Sequence, residues 1–127
     1  MSHTITYNSD LGIVEIKFRE NVIWKEVKEI LWQSAQIAKE QNCFLFLSDF
    51  REATMELSTL ELYEFPKILS ETFASLEIPT HKIKRAFVVA KDFKDYSFFE
   101  TVNVNRGFSH KMFQDISEAK KWLLLEK

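Results

Sequence analysis

Glycine is nearly absent from this chain: Gly12 and Gly107 are the only two in 127 residues. A backbone cradle for phosphate needs several closely spaced glycines, so a P-loop and a dinucleotide fingerprint are both excluded. Cysteine occurs once, at Cys43, which rules out an internal disulfide and fits a reducing compartment. No apolar run approaches the roughly 20 residues of a membrane-spanning helix, so no integral membrane segment is expected. His3, His81 and His110 are far apart and show no ligand spacing, so no metal site or cofactor is expected. An excess of either charge is missing too. The 17 basic and 19 acidic residues are interspersed and leave a formal net charge of -2. A nucleic-acid partner needs a clustered basic surface, and an anionic membrane needs a similar one; neither is foreseen. The first residues, Met1 to Tyr7, lack the basic and apolar regions of a signal peptide, and the expected location is cytoplasmic.

What the chain has in excess is phenylalanine, with 12. Most must be core, and the surplus leaves room for an apolar pocket or a self-association surface. A single domain over residues 1–127 is the default at this length, burying roughly two-thirds of its unfolded surface without help from metals or disulfides.

The stretch Cys43-Phe-Leu-Phe-Leu-Ser-Asp-Phe-Arg51 organises the rest. A short apolar run that stops at charge predicts a central strand of an α/β sheet, covered on both faces, whose C-terminal end emerges at a polar rim. Before it, Thr4–Asn8 and Ile13–Phe18 predict an antiparallel hairpin, with Val14, Ile16 and Phe18 on one face and Glu15 and Lys17 on the other. Asn21 is a candidate cap for a helix over Val22–Gln41. Trp24, Val27, Leu31, Ala35 and Ala38 share its apolar face, widened by Ile23 and Ile30, and Trp32 falls off that stripe. Ser58-Thr59-Leu60-Glu61 is a capping box that opens a second helix, buried along Leu62, Phe65, Leu69, Phe73 and Leu76. Pro66 inside it predicts a kink or two abutting helices. Arg85–Ala90 predicts a second covered strand with Lys91 and Asp92 at its rim. A helix over Phe93–Arg106, stopped by Gly107, follows. A short strand at Lys111–Phe113 leads to a last helix opened by Asp115 and burying Ile116, Ala119, Trp122 and Leu123. The order is β-β-α-β-α-β-α-β-α, which implies a mostly parallel five-stranded sheet with right-handed crossovers.

Three local patterns accompany this order: Asp49-Phe50-Arg51 after the central strand, Phe98-Phe99-Glu100 leading to Asn105-Arg106-Gly107, and Phe113-Gln114-Asp115-Ile116 followed by Glu118-Ala119 and Trp122-Leu123. Together and in sequence they resemble the STAS domain, in its SpoIIAA-like (STAS/SEC14-like) bacterial branch. The resemblance covers almost the whole chain. It implies a β-α superhelix shared with CRAL-TRIO lipid-binding domains, with helices gathered largely on one sheet face. Because Phe44 and Phe46 point one way and Leu45 and Leu47 the other, the opposite face would then need a helix, a lipid-like ligand or a second protomer. The family's phosphorylated serine lies in an Asp-x-Ser-Gly motif. Here the aligned residues are Asp49-Phe50-Arg51-Glu52, so that switch does not carry over. Ser58 is a displaced candidate acceptor, since phosphate at a helix N-terminus is favoured, although capping alone also explains it.

The candidate rim therefore comprises Asp49, Phe50, Arg51, Ser58, Lys91 and Asp92. Arg51 and Lys91 could hold a carboxylate or phosphate with Asp49 orienting the arginine; equally, Asp49 and Arg51 could form an ion pair that fastens the strand end. Phe98, Asn105 and Arg106 are secondary candidates. Phe98 and Phe99 cannot both face inward on one helix, while Asn105 and Arg106 also suit a helix end. Cys43 reads as a small core residue rather than a nucleophile, and no nucleophile elbow is present. The expectation is a non-enzymatic binding or regulatory module that engages a protein partner or itself as a homodimer. The alternative is a carrier of a small amphiphile, with an apolar cavity beneath the second helix and Arg51 or Lys91 at the head group.

Overall fold

Alternating apolar and polar residues make the start of the chain a hairpin. In the computed structural model, which describes residues 3–53, 55–56, 58–90 and 109–125, β1 (His3–Asn8) pairs antiparallel with β2 (Ile13–Phe18). The turn between them closes through Gly12, at φ 69°, whose N–H donates to the Asn8 carbonyl at 2.8 Å. A residue with a Cβ is strained in that left-handed region, which is why one of the two glycines sits there.

Val22–Ile23 departs from the expected helix. These two β-branched residues form a short strand, β3, which pairs in parallel with β5 (Met55–Glu56). Helix α1 therefore starts at Trp24, runs to Gln41, and has Ile23 rather than Asn21 at its N-cap, with no side-chain cap. Ile23 is exposed instead of widening the apolar stripe. At the other end Asn42 takes the left-handed conformation, φ 51°, and stops the helix as expected.

The central strand lies within the Cys43–Arg51 stretch and is shorter at both ends. β4 is Leu45–Phe50, so Ser48, Asp49 and Phe50 lie within the ladder, and Cys43 belongs to the preceding turn. The Cys43 N–H donates to the Ala38 carbonyl at 2.9 Å, and its thiol donates to the Gly12 carbonyl at 3.1 Å. Helix α2 (Thr59–Ser75) is opened by the expected capping box: the Glu61 N–H donates to Ser58 Oγ at 3.1 Å and the Ser58 N–H to Glu61 Oε1 at 2.9 Å. Pro66 lies inside this one helix rather than between two. After a 3-10 turn at Thr80–Lys82 come β6 (Lys84–Val89), β7 (Ser109–Phe113) and α3 (Ile116–Leu124), the last capped by Asp115. The helix expected over Phe93–Arg106 lies outside the described residues.

The five-stranded sheet has the order β1-β2-β4-β6-β7, parallel except for the first pair. Helices α1 and α2 cover one face, where Val14, Ile16, Phe46, Phe50, Phe87 and Met112 meet Val27, Leu31, Phe65, Leu69 and Phe73. Phe46 contacts Phe73 edge-on at 5.3 Å between ring centres, and Phe18 stacks on Phe50 at 4.2 Å. Removing a ring such as that of Phe46 would cost about 3–5 kcal/mol.

On the opposite face a helix meets the need that Leu45 and Leu47 posed. Ala119 and Leu123 of α3 pack on Ile13, Leu47, Ala86 and Val88. Lys84 ties α3 down: its Nζ donates to the carbonyls of Trp122 and Leu125 and lies 4.5 Å from the Trp122 ring centre. A cation that satisfies the last carbonyls of a helix also suits the helix dipole. Beyond α3, towards β1 and β2, the same face carries Thr4, Thr6, Glu15 and Lys17, which tolerate water.

Candidate functional site

Parallel register sets Lys17 beside Asp49 where β2 meets β4, and the chain turns sharply after Phe50. Arg51 folds back over that turn. Its backbone N–H and its Nε both donate to Asp49 Oδ1 at 3.0 Å, and its NH2 group donates to Oδ2 at 2.9 Å. Burial pushes the Asp49 carboxyl up, but the hydrogen bonds from Arg51, with the charges of Arg51 and Lys17, outweigh it and hold Asp49 below the usual carboxylate value. The Arg51 guanidinium is held above its own usual value, first by the same hydrogen bond. A carboxylate already holding three donors is a fastening, not a free base or metal ligand.

Around this pair lies a polar hollow of about 280 Å³, lined by Thr4, Thr6, Glu15, Lys17, Leu47, Asp49, Arg51 and Ile116. Its charges compensate one another. Lys17 bridges to Glu52 at 2.9 Å, Asn8 Nδ2 donates to Glu15 at 2.8 Å, and Lys120 lies 3.9 Å from Glu15.

The other expected rim residues separate. Phe50 points to the opposite face of the sheet and is 2% exposed, so it is a core residue and not a rim contact. Ser58 is exposed at the start of α2 and serves as its cap. Lys91, Asp92, Phe98, Asn105 and Arg106 lie outside the described residues. Among the described residues no group of three His, Cys, Asp or Glu side chains could hold a metal ion. No described helix is long and apolar enough to cross a membrane.

Two features were missed in the sequence. The first is apolar and exposed: Leu60 is 67% and Tyr63 51% accessible, in the first turns of α2. Their spacing of three places them on one side of the helix, away from the Leu62–Phe65–Leu69 stripe, and that spacing was the available signal. The second is Arg85. Strand alternation puts it on the α1–α2 face with Phe87 and Val89, 4% exposed. A charge within an otherwise apolar, fully covered strand was the signal there. Arg85 lines a cavity of about 30 Å³ together with Ile16, Phe18, Val22, Val27, Ile30, Leu31, Ser48, Phe50, Phe65 and Phe87. Burial lowers its pKa to about 9, so it remains charged at neutral pH. In register with it on β7 is His110, which burial first and the Arg85 charge second hold well below the usual histidine value.

No family model, curated protein or solved structure matches the chain.

Proposed function

We propose that this protein is a non-enzymatic, cytoplasmic binding module of the STAS type that engages a protein partner through the start of α2 and the Asp49–Arg51 turn. The exposed Leu60 and Tyr63 pair carries this reading. Large apolar and aromatic side chains are what protein interfaces use as anchors. The Ser58 capping box keeps the first turn of α2 rigid, so the pair is presented without much ordering cost. Arg51, fixed by Asp49, offers its remaining donors at the edge of the polar hollow.

The carrier alternative draws on the cavity beneath α2. At about 30 Å³ that cavity admits a guest the size of a water molecule. Pockets for organic ligands run to about 300 Å³ or more, so the geometry favours the protein-binding reading.

The test is affinity capture from the native host with three proteins. Wild type and Trp32→Asp should retain the same defined partner, because Trp32 is an exposed apolar residue on a different helix, α1. Leu60→Asp should lose it. A partner retained equally by Leu60→Asp would contradict the proposed surface, and size-exclusion chromatography of the same proteins distinguishes self-association from binding to another chain.

A further inference from the structure

We propose that the cavity between α1, α2 and the sheet is a binding site for one small monovalent anion of about chloride size, held by Arg85 and Ser48. The inference goes beyond the surface reading above and does not depend on it.

Arg85 is a cation inside the core, and no carboxylate pairs with it among the described residues. Its guanidinium carbon lies 4.9 Å and 4.8 Å from the ring centres of Phe65 and Phe87, which offsets part of its charge. The rings give its N–H groups no good acceptor. Nη1 is buried and has no hydrogen-bond partner among the described residues. A buried charge without a counterion costs several kcal/mol, and an anion at hydrogen-bond distance is the direct remedy.

The cavity limits what that anion can be. A volume of about 30 Å³ admits a single atom or a very small group. Its walls are hydrocarbon and aromatic apart from Arg85 and Ser48, which favours a weakly hydrated ion over a strongly hydrated one. A single guanidinium balances one negative charge, which excludes sulfate and phosphate dianions. Water is the competing guest. A buried water needs two to four polar partners, some of them acceptors for its hydrogens. Here both polar liners can donate, which suits an anion better.

Two measurements on the intact chain decide it. Crystals grown or soaked in sodium bromide should show an anomalous peak beside Arg85 in the wild type and none there in Arg85→Met. In solution, exchanging fluoride for chloride at constant ionic strength should raise the thermal midpoint of the wild type progressively. Arg85→Met should fold, since a buried charge replaced by an apolar chain of similar length is tolerated, and should show no such response. Ser48→Ala keeps the guanidinium and should weaken the apparent chloride affinity about tenfold. A water without anomalous signal at the site, a chloride response that persists in Arg85→Met, or an unshifted affinity in Ser48→Ala would each overturn the two-donor anion site.

Discussion

Arg85 of β6 faces the ring of Phe65 on α2, with 4.9 Å between the guanidinium carbon and the ring centre. The contact joins the middle of the sheet to the helix that carries Tyr63 about half a turn and Leu60 about one and a half turns before Phe65. A close cation–ring contact of this kind suits arginine, because the guanidinium is flat and weakly hydrated, whereas an ammonium is compact and strongly hydrated. Arg85→Lys should therefore destabilise the protein by about 1–3 kcal/mol. Arg85→Met should leave stability unchanged or raise it by about 1–4 kcal/mol, as apolar replacements of buried ions do. Chemical denaturation of the three proteins checks the order Met, Arg, Lys.

His110 gives the fold an acid-sensitive element. Its folded pKa is depressed well below 6.5 by burial and by the Arg85 charge. The unfolded chain therefore takes up a proton first, at about pH 6.5, while the folded chain stays neutral. Stability is full above that value and falls as the pH drops from it towards the folded pKa, by up to about 1.4 kcal/mol per pH unit. His110→Leu cannot titrate and should flatten the stability profile in this window. Asp49 also has a depressed folded pKa, so its contribution is present above about pH 3.8 and is lost as the pH falls through the folded value. The two losses begin at different pH, about 6.5 for His110 and about 3.8 for Asp49, and denaturant midpoints measured against pH with His110→Leu alongside tell them apart.

Arg51→Ala should cost about 1–3 kcal/mol, because it removes the two guanidinium donors to the mostly buried Asp49 carboxylate and leaves only the backbone N–H of residue 51. The lower part of that range reflects the partial exposure of Arg51, which lets water replace some of the interaction. Asp49→Asn together with Arg51→Ala should cost less than the sum of the single changes, and a double-mutant cycle measures the difference.

Much of this architecture was legible in the residues, and the reasons differ from element to element. The capping box at Ser58–Glu61 and the Asp115 cap specify helix starts through their own side chains, so α2 and α3 begin where they were expected. β1, β2 and β6 follow from alternation or from an unbroken apolar run. The start of α1 was not legible, because Val22–Ile23 pairs with Met55–Glu56 more than thirty residues away, and local propensity carries no trace of that partner. Phe50 illustrates another limit. Sequence alone places it at the rim with Asp49 and Arg51, but β4 continues through Phe50, and strand alternation turns it to the Phe46 side, into the core. Asp49 and Arg51 were correctly brought together, because two residues apart at a strand end they share a side. Whether they meet a ligand or each other depends on the turn that follows.

Lys84 should act as a latch for α3. Lys84→Met keeps the aliphatic stem but removes the donors to the Trp122 and Leu125 carbonyls. A loss of about 1 kcal/mol is expected. Hydrogen exchange should quicken in the last turn of α3 while the amides of α1 and α2 stay protected, which distinguishes loosening of one helix end from global destabilisation.

Recognition at the start of α2 is tested most directly by site-specific photo-crosslinking in the native host, with a photoreactive side chain in place of Tyr63 and, as a control, of Glu71 on the same helix. The account predicts a discrete protein adduct from position 63, no such adduct from position 71, and loss of the position 63 adduct when Leu60→Asp is added. No adduct from position 63, or an equal one from both positions, would contradict it.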